Sequence, residues 1–153
     1  MSRVLLVSVL ALFVTAFVHA EEKSKSLLNL DKNGLAIQGY DPVAYFTDHK
    51  AVKGDEKFKV EHNGATYYFS SDEHRAMFEK DPATYEPLFG GYCGYGASRN
   101  ALVPITPDAF VIVDGHLVLQ KSKRVLGYWN EDPQENFKKA QANWPGLVDK
   151  NGK

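Results

Sequence analysis

The chain has 153 residues, with 18 Lys and Arg against 19 Asp and Glu and a formal charge of −1. That length bounds one ordinary domain, and the near balance of charge leaves no basic field for gripping phosphates, so nucleic acid is excluded as the expected partner. A 44% hydrophobic and 12% aromatic content is too rich for a disordered chain. The single cysteine excludes an intrachain disulfide, a four-thiolate zinc site and a CxxC redox pair.

Arg3 opens the chain with a positive charge, residues 4–18 are uncharged and rich in Val, Leu, Ala and Phe, and Val18-His19-Ala20 offers small residues on both sides of a cut. This is the layout of a secretory signal peptide. The apolar run falls short of the roughly 20 residues of a spanning helix, so cleavage after Ala20 is expected rather than stable membrane insertion. The expected product is periplasmic or secreted, with residues 21–29 as a flexible leader and residues 30–148 as the domain.

Along the domain, Lys32-Asn33-Gly34 is a turn signal, and Tyr40-Asp41-Pro42 forces a change of direction before residues 43–46, which read as a buried strand. Residues 57–61 alternate polar and apolar, residues 65–69 are aromatic and β-branched, and Asn63-Gly64 between them predicts a hairpin with a type I′ turn. Asp114-Gly115 predicts a second hairpin between residues 110–113 and 116–119. Ser70 and Glu73 have the spacing of a capping box, so a helix is predicted to start there, with His74, Met77 and Phe78 on its inward face. Asp81-Pro82 and Asp132-Pro133 each open a further helix, the latter carrying Phe137, Ala140 and Trp144 and ending at Pro145-Gly146. No repeat array is visible. The predicted fold class is α+β: a small single domain with antiparallel hairpins and three or so short helices.

Chemistry concentrates at Phe89-Gly90-Gly91-Tyr92-Cys93-Gly94-Tyr95-Gly96. The spacing matches neither a phosphate loop nor a dinucleotide fingerprint, so the glycines serve the cysteine and the tyrosines. Cys93 reads either as a small buried hydrophobe or as a metal thiolate or redox thiol. His74 is the best ligand or acid–base candidate among the histidines, although an inward His is also an ordinary core residue. His62 and His116 beside the turns, and His49 between Asp48 and Lys50, read as solvated. Ser70, Asp72 and His74 are better explained by helix capping than by a catalytic triad, and no hydrolase or transferase constellation appears.

The ordered set of motifs resembles the YHS-domain proteins, in particular their exported (seleno)protein group. It runs through Gly39-Tyr40-Asp41-Pro42-Val43-Ala44-Tyr45-Phe46, Asn63-Gly64-Ala65-Thr66-Tyr67-Tyr68-Phe69, Asp81-Pro82-Ala83-Thr84-Tyr85 and Gly90-Gly91-Tyr92-Cys93. Val113-Asp114-Gly115 and Ala142-Asn143-Trp144-Pro145 complete it. The resemblance implies a small metal-binding module of the kind often attached to copper-handling proteins. The wider family carries cysteines after its Asp-Pro-Val and after its Tyr-Phe; here those positions are Ala44, Ser70 and His74, of which only His74 can coordinate a soft or borderline ion. Selenocysteine in some exported relatives gives Cys93, by analogy, a reactive role.

Three functions follow as expectations. The first is an exported module that binds a metal ion, copper or zinc, through Cys93 thiolate and His74 imidazole, with Tyr40, Asp41 and Tyr92 lining the site. The second is a single-cysteine thiol redox protein resolved by an external thiol. The third is a binding module whose Tyr40, Tyr45, Tyr92 and Tyr95 hold a small apolar ligand or a protein. All three share one spatial expectation: Cys93 and His74 meet in a common pocket.

Overall fold

A computed structural model describes residues 24–153. The expected signal peptide lies outside the described residues, and among these no helix is long and apolar enough to cross a membrane. The fold is α+β, with two separate antiparallel hairpins and, among the described residues, six helices instead of three.

The first hairpin pairs β1 (Asp55–His62) with β2 (Ala65–Phe69). Asn63 and Gly64 adopt φ of 48° and 85°, the paired positive angles that a type I′ turn demands. The second pairs β3 (Thr106–Val113) with β4 (His116–Gln120) through Asp114 and Gly115 at 49° and 79°. β2 alternates buried and half-buried residues and turns Ala65, Tyr67 and Phe69 into the core. Phe78 meets both aromatic rings, at centroid distances of 4.8 Å for Tyr67 and 5.2 Å for Phe69.

The helices are α1 (Ala44–Thr47), α2 (Asp72–Lys80), α3 (Pro82–Tyr85), α4 (Gly94–Ser98), α5 (Lys123–Glu131) and α6 (Pro133–Asn151). α4 is unforeseen in the glycine-rich segment, and four others correct the sequence reading. Residues 43–46, expected as a strand, form the buried turn of α1, because the Asp41 carboxylate accepts the N–H groups of Val43 and Ala44 and nucleates a helical turn there. The N-cap of α2 is Ser71, whose hydroxyl accepts from the His74 N–H, and Ser70 is left for another task. α5, unforeseen, starts at an N-capping Ser122 and buries Trp129 completely. α6 passes through Pro145 instead of ending there. Losing one backbone hydrogen bond is tolerated because Leu147 beyond the proline is buried, and Asn143 Nδ2 clamps the helix to the Ala97 and Ser98 carbonyls of α4.

The described part of the expected leader is hydrogen-bonded to the rest of the chain. Ser26 exchanges two backbone hydrogen bonds with Lys153, and Asn29 reaches the carbonyls of Gly90 and Gly91. The core falls into two clusters. One joins Val43, Tyr45, Phe69 and Phe78 to Cys93, Leu117 and Leu119; the other gathers Phe89, Ala97 and Val118 around Trp129, Phe137 and Leu147.

Candidate functional site

Asp41 is 0% exposed and follows a left-handed turn at Ile37, Gln38 and Gly39, with φ of 51°, 52° and 78°. The turn aims its carboxylate inward, where five donors meet it. Oδ1 accepts from the N–H of Val43 at 2.8 Å and of Ala44 at 3.3 Å. Oδ2 accepts from the Ser70 N–H at 2.8 Å, the Ser70 hydroxyl at 2.6 Å and His74 Nδ1 at 2.6 Å. Such multiple donation makes a buried carboxylate tolerable away from water. It also ties together three elements: the Asp41 loop, the end of β2 and the first turn of α2.

The proton arithmetic at His74 follows from these bonds. A carboxylate only accepts, so Nδ1 is the protonated nitrogen and Nε2 of the neutral ring carries a lone pair. Nε2 faces Thr47 Oγ1 at 3.3 Å. That hydroxyl has one proton, and Asp48 Oδ1 at 2.8 Å is the nearer acceptor. Nε2 is thus an oriented lone pair without a close donor, on a side chain 13% exposed and beside the exposed Thr47 and Asp48. The connectivity Asp41–His74–Thr47 looks like a hydrolytic triad, but the Thr47 proton lies toward Asp48, so the ring is not set to take it.

Cys93 is elsewhere in the hydrogen-bond network. It is 1% exposed, donates its S–H to Gln120 Oε1 at 3.2 Å and accepts the Gly96 N–H at 3.4 Å as the N-cap of α4. Gln120, 0% exposed, also accepts the Tyr95 N–H at 3.0 Å, and its Nε2 is buried without a partner. No residue hydrogen-bonded to Cys93 is hydrogen-bonded to His74, and the thiol is engaged by Gln120 and Gly96 and not by the imidazole. Among the described residues no group of three or more His, Cys, Asp and Glu side chains is gathered to hold a metal ion. The donors present therefore do not fit a resident thiolate-bound metal; they fit an ion approached by one imidazole with oxygen donors beside it.

The tyrosines each have aromatic, cationic or backbone partners of their own. Tyr45 is buried edge-on to Phe110, with its hydroxyl donating to the Pro107 carbonyl, and burial pushes its phenol well above the usual range. Tyr40 lies under the Lys53 ammonium, Tyr92 faces Trp144, and Tyr95 faces Tyr128. His62, read as solvated, is half-buried against Phe78 and 2.6 Å from Glu86 Oε1. His49 and His116 are exposed as expected.

Sequence reasoning selected His74, Asp41 and Cys93 but missed Ser70 and Thr47 as partners of the first two and Gln120 as the partner of the third. The available signal was Asp41-Pro42, the same aspartate–proline pair that marks helix starts at Asp81-Pro82 and Asp132-Pro133.

Residues 43–88 match the model of the YHS domain, a family to which metal binding is ascribed. No curated protein and no solved structure matches the chain. The matched segment contains Ser70 and His74, starts two residues after Asp41 and stops before Cys93. Residues 43–88 are thus similar to a YHS domain, and of the most connected polar cluster Ser70 and His74 lie within that segment while Asp41 stands two residues before it.

Proposed function

We propose that the protein is an exported metal-handling module that takes up a borderline ion, Cu(II) or Zn(II), through His74 Nε2. The observation that supports it most is the Asp41–His74 pair. Metal-ligating histidines characteristically donate their other ring N–H to a carboxylate, which fixes the tautomer and raises the basicity of the ligating nitrogen. Thr47 and Asp48 supply oxygen donors beside that nitrogen. One imidazole with exposed oxygens suits uptake and release better than permanent retention, which calls for three or four protein ligands. Tyr40 and Tyr92 pack against other neighbours, and Cys93 serves the fold.

Metal titration by calorimetry tests the reading on the wild type, Cys93→Ser and His74→Gln. One equivalent of ion is expected to bind the wild type and Cys93→Ser alike, with binding lost in His74→Gln. Binding lost in Cys93→Ser and kept in His74→Gln would restore the thiolate. No binding by the wild type would leave Asp41–His74 as a structural clasp.

A further inference from the structure

The elements of the chain occur twice in the same order. Two left-handed turns come first: Ile37, Gln38 and Gly39 with φ of 51°, 52° and 78°, then Phe89, Gly90 and Gly91 with 55°, 56° and 79°. A β-branched or aromatic residue at positive φ is rare, so two such triplets with matching angles are specific. Each turn is preceded by a parallel bridge to a hairpin's second strand, Leu35 to Thr66 and Pro87 to Leu117. Each is followed by a tyrosine and then by a polar atom that accepts N–H groups of the next helical turn, from Asp41 in one case and Cys93 in the other. The backbone N–H of Asp41 donates to the Val52 carbonyl, and that of Cys93 to the Val103 carbonyl, both at 2.9 Å.

The correspondence continues through the hairpins and beyond. Both have strands of 8 and 5 residues, and their registers slip at equivalent places, between Asp55 and Lys59 and between Thr106 and Phe110. Both lead to a helix of 9 residues with a serine N-cap, Ser71 accepting from the His74 N–H and Ser122 from the Val125 N–H. Both helices end at an aspartate with nearly the same dihedrals, Asp81 at −149° and 74° and Asp132 at −151° and 76°, before a proline opens the next helix. A single hairpin is marginal alone, so two such units sharing a core is also the physically sensible arrangement.

We infer that residues 37–85 and 89–136 are two copies of one structural unit, and that the packed surroundings of Cys93 are the second copy's version of the Asp41–His74 ion site, closed by substitution. The equivalences are Asp41 with Cys93, Ser70 with Lys121, and His74 with Val125. The family match covers residues 43–85 of the first copy and stops before the second. Cys93 then has a definite role: it holds the N-cap place that a carboxylate holds in the first copy. The missing imidazole explains why the first copy alone presents a ligating lone pair. The unpartnered Gln120 Nε2 lies where the first copy has Phe69, an apolar residue in the same strand position, so this orphan donor is a feature of the substituted site.

The inference extends the metal reading, and its test has a readout that does not depend on metal. The full chain carrying Cys93→Asp, Lys121→Ser and Val125→His restores the first copy's residues in the second. Proton NMR should show two hydrogen-bonded imidazole Nδ1–H resonances instead of one, and metal titration should give two equivalents of ion where the wild type gives one. A single such resonance in the folded triple variant would overturn the equivalence. Two resonances without any ion binding would keep it and sink the metal reading. Should the triple variant fail to fold, Cys93→Ser against Cys93→Val decides: the cap role expects Ser, which accepts an N–H, to keep the higher melting temperature, and a more stable Val variant would contradict it.

Discussion

Asp41 and Cys93 stand at the same turn of two similar units, yet one is a hub and the other a plug. Asp41 gathers five donors and, through them, orients an imidazole toward the surface. Cys93 has one amide partner and one backbone donor, and hydrocarbon fills the place of the ring through Val125. The backbone is the same device in both; what differs is whether a charge is buried at its tip. A buried charge must be fully bonded to be tolerated, and the groups that bond it become fixed in space. A thiol needs less, so it organises less.

Removing the hub should show the largest effect. Asp41→Ala strips the acceptor from three backbone N–H groups and from Ser70 and His74, and should lose about 3–5 kcal/mol of unfolding free energy in urea denaturation. A loss below about 1 kcal/mol would mean the cluster is incidental. His74→Val, which copies the second unit into the first, should lose about 1–3 kcal/mol, because it removes one partner from a buried carboxylate and leaves four. It should also abolish ion binding. If it stabilises the protein, the imidazole is held there for function alone.

The comparison sharpens further at the thiol. Cys93 should react with a disulfide reagent only as fast as the protein opens, with a rate that rises with urea in step with unfolding. Fast labelling of the native protein would reopen the redox reading. The smallest expected effect lies at the rim of the first unit, where burial raises the Glu86 carboxyl above its usual range and His62 partly opposes the shift. The two approach to 2.6 Å without a well-aligned hydrogen bond. An acid with a raised folded pKa favours the folded state while protonated. The wild type should therefore lose stability as pH rises from the ordinary carboxylate range through the raised value. Glu86→Gln should flatten that segment of the stability profile; parallel profiles would remove Glu86 as its source.

Local chemistry made much of this legible. Asn63-Gly64 and Asp114-Gly115 announce the hairpins because positive φ at two successive residues is demanding. The inward face of α2 was readable from His74, Met77 and Phe78. Residues 43–46 misled because their apolar character fits a buried strand as well as a buried helical turn, and only the capping carboxylate decides between them. The end of α6 misled because proline propensity is local, whereas the Leu147 and Asn143 contacts are tertiary. That Cys93 and His74 have different hydrogen-bond partners was unreadable for a deeper reason. The two belong to different copies of the unit, and what the copies share, Tyr40 with Tyr92, Ser71 with Ser122 and Asp81-Pro82 with Asp132-Pro133, reads one residue at a time as ordinary turn and capping chemistry.

X-ray absorption on the copper- or zinc-loaded full chain tests the central claim most directly. An inner shell of nitrogen and oxygen alone, with the outer-ring scattering of one imidazole, is predicted for an ion on His74 Nε2. A sulfur scatterer at about 2.3 Å would place the ion on Cys93 and contradict the account.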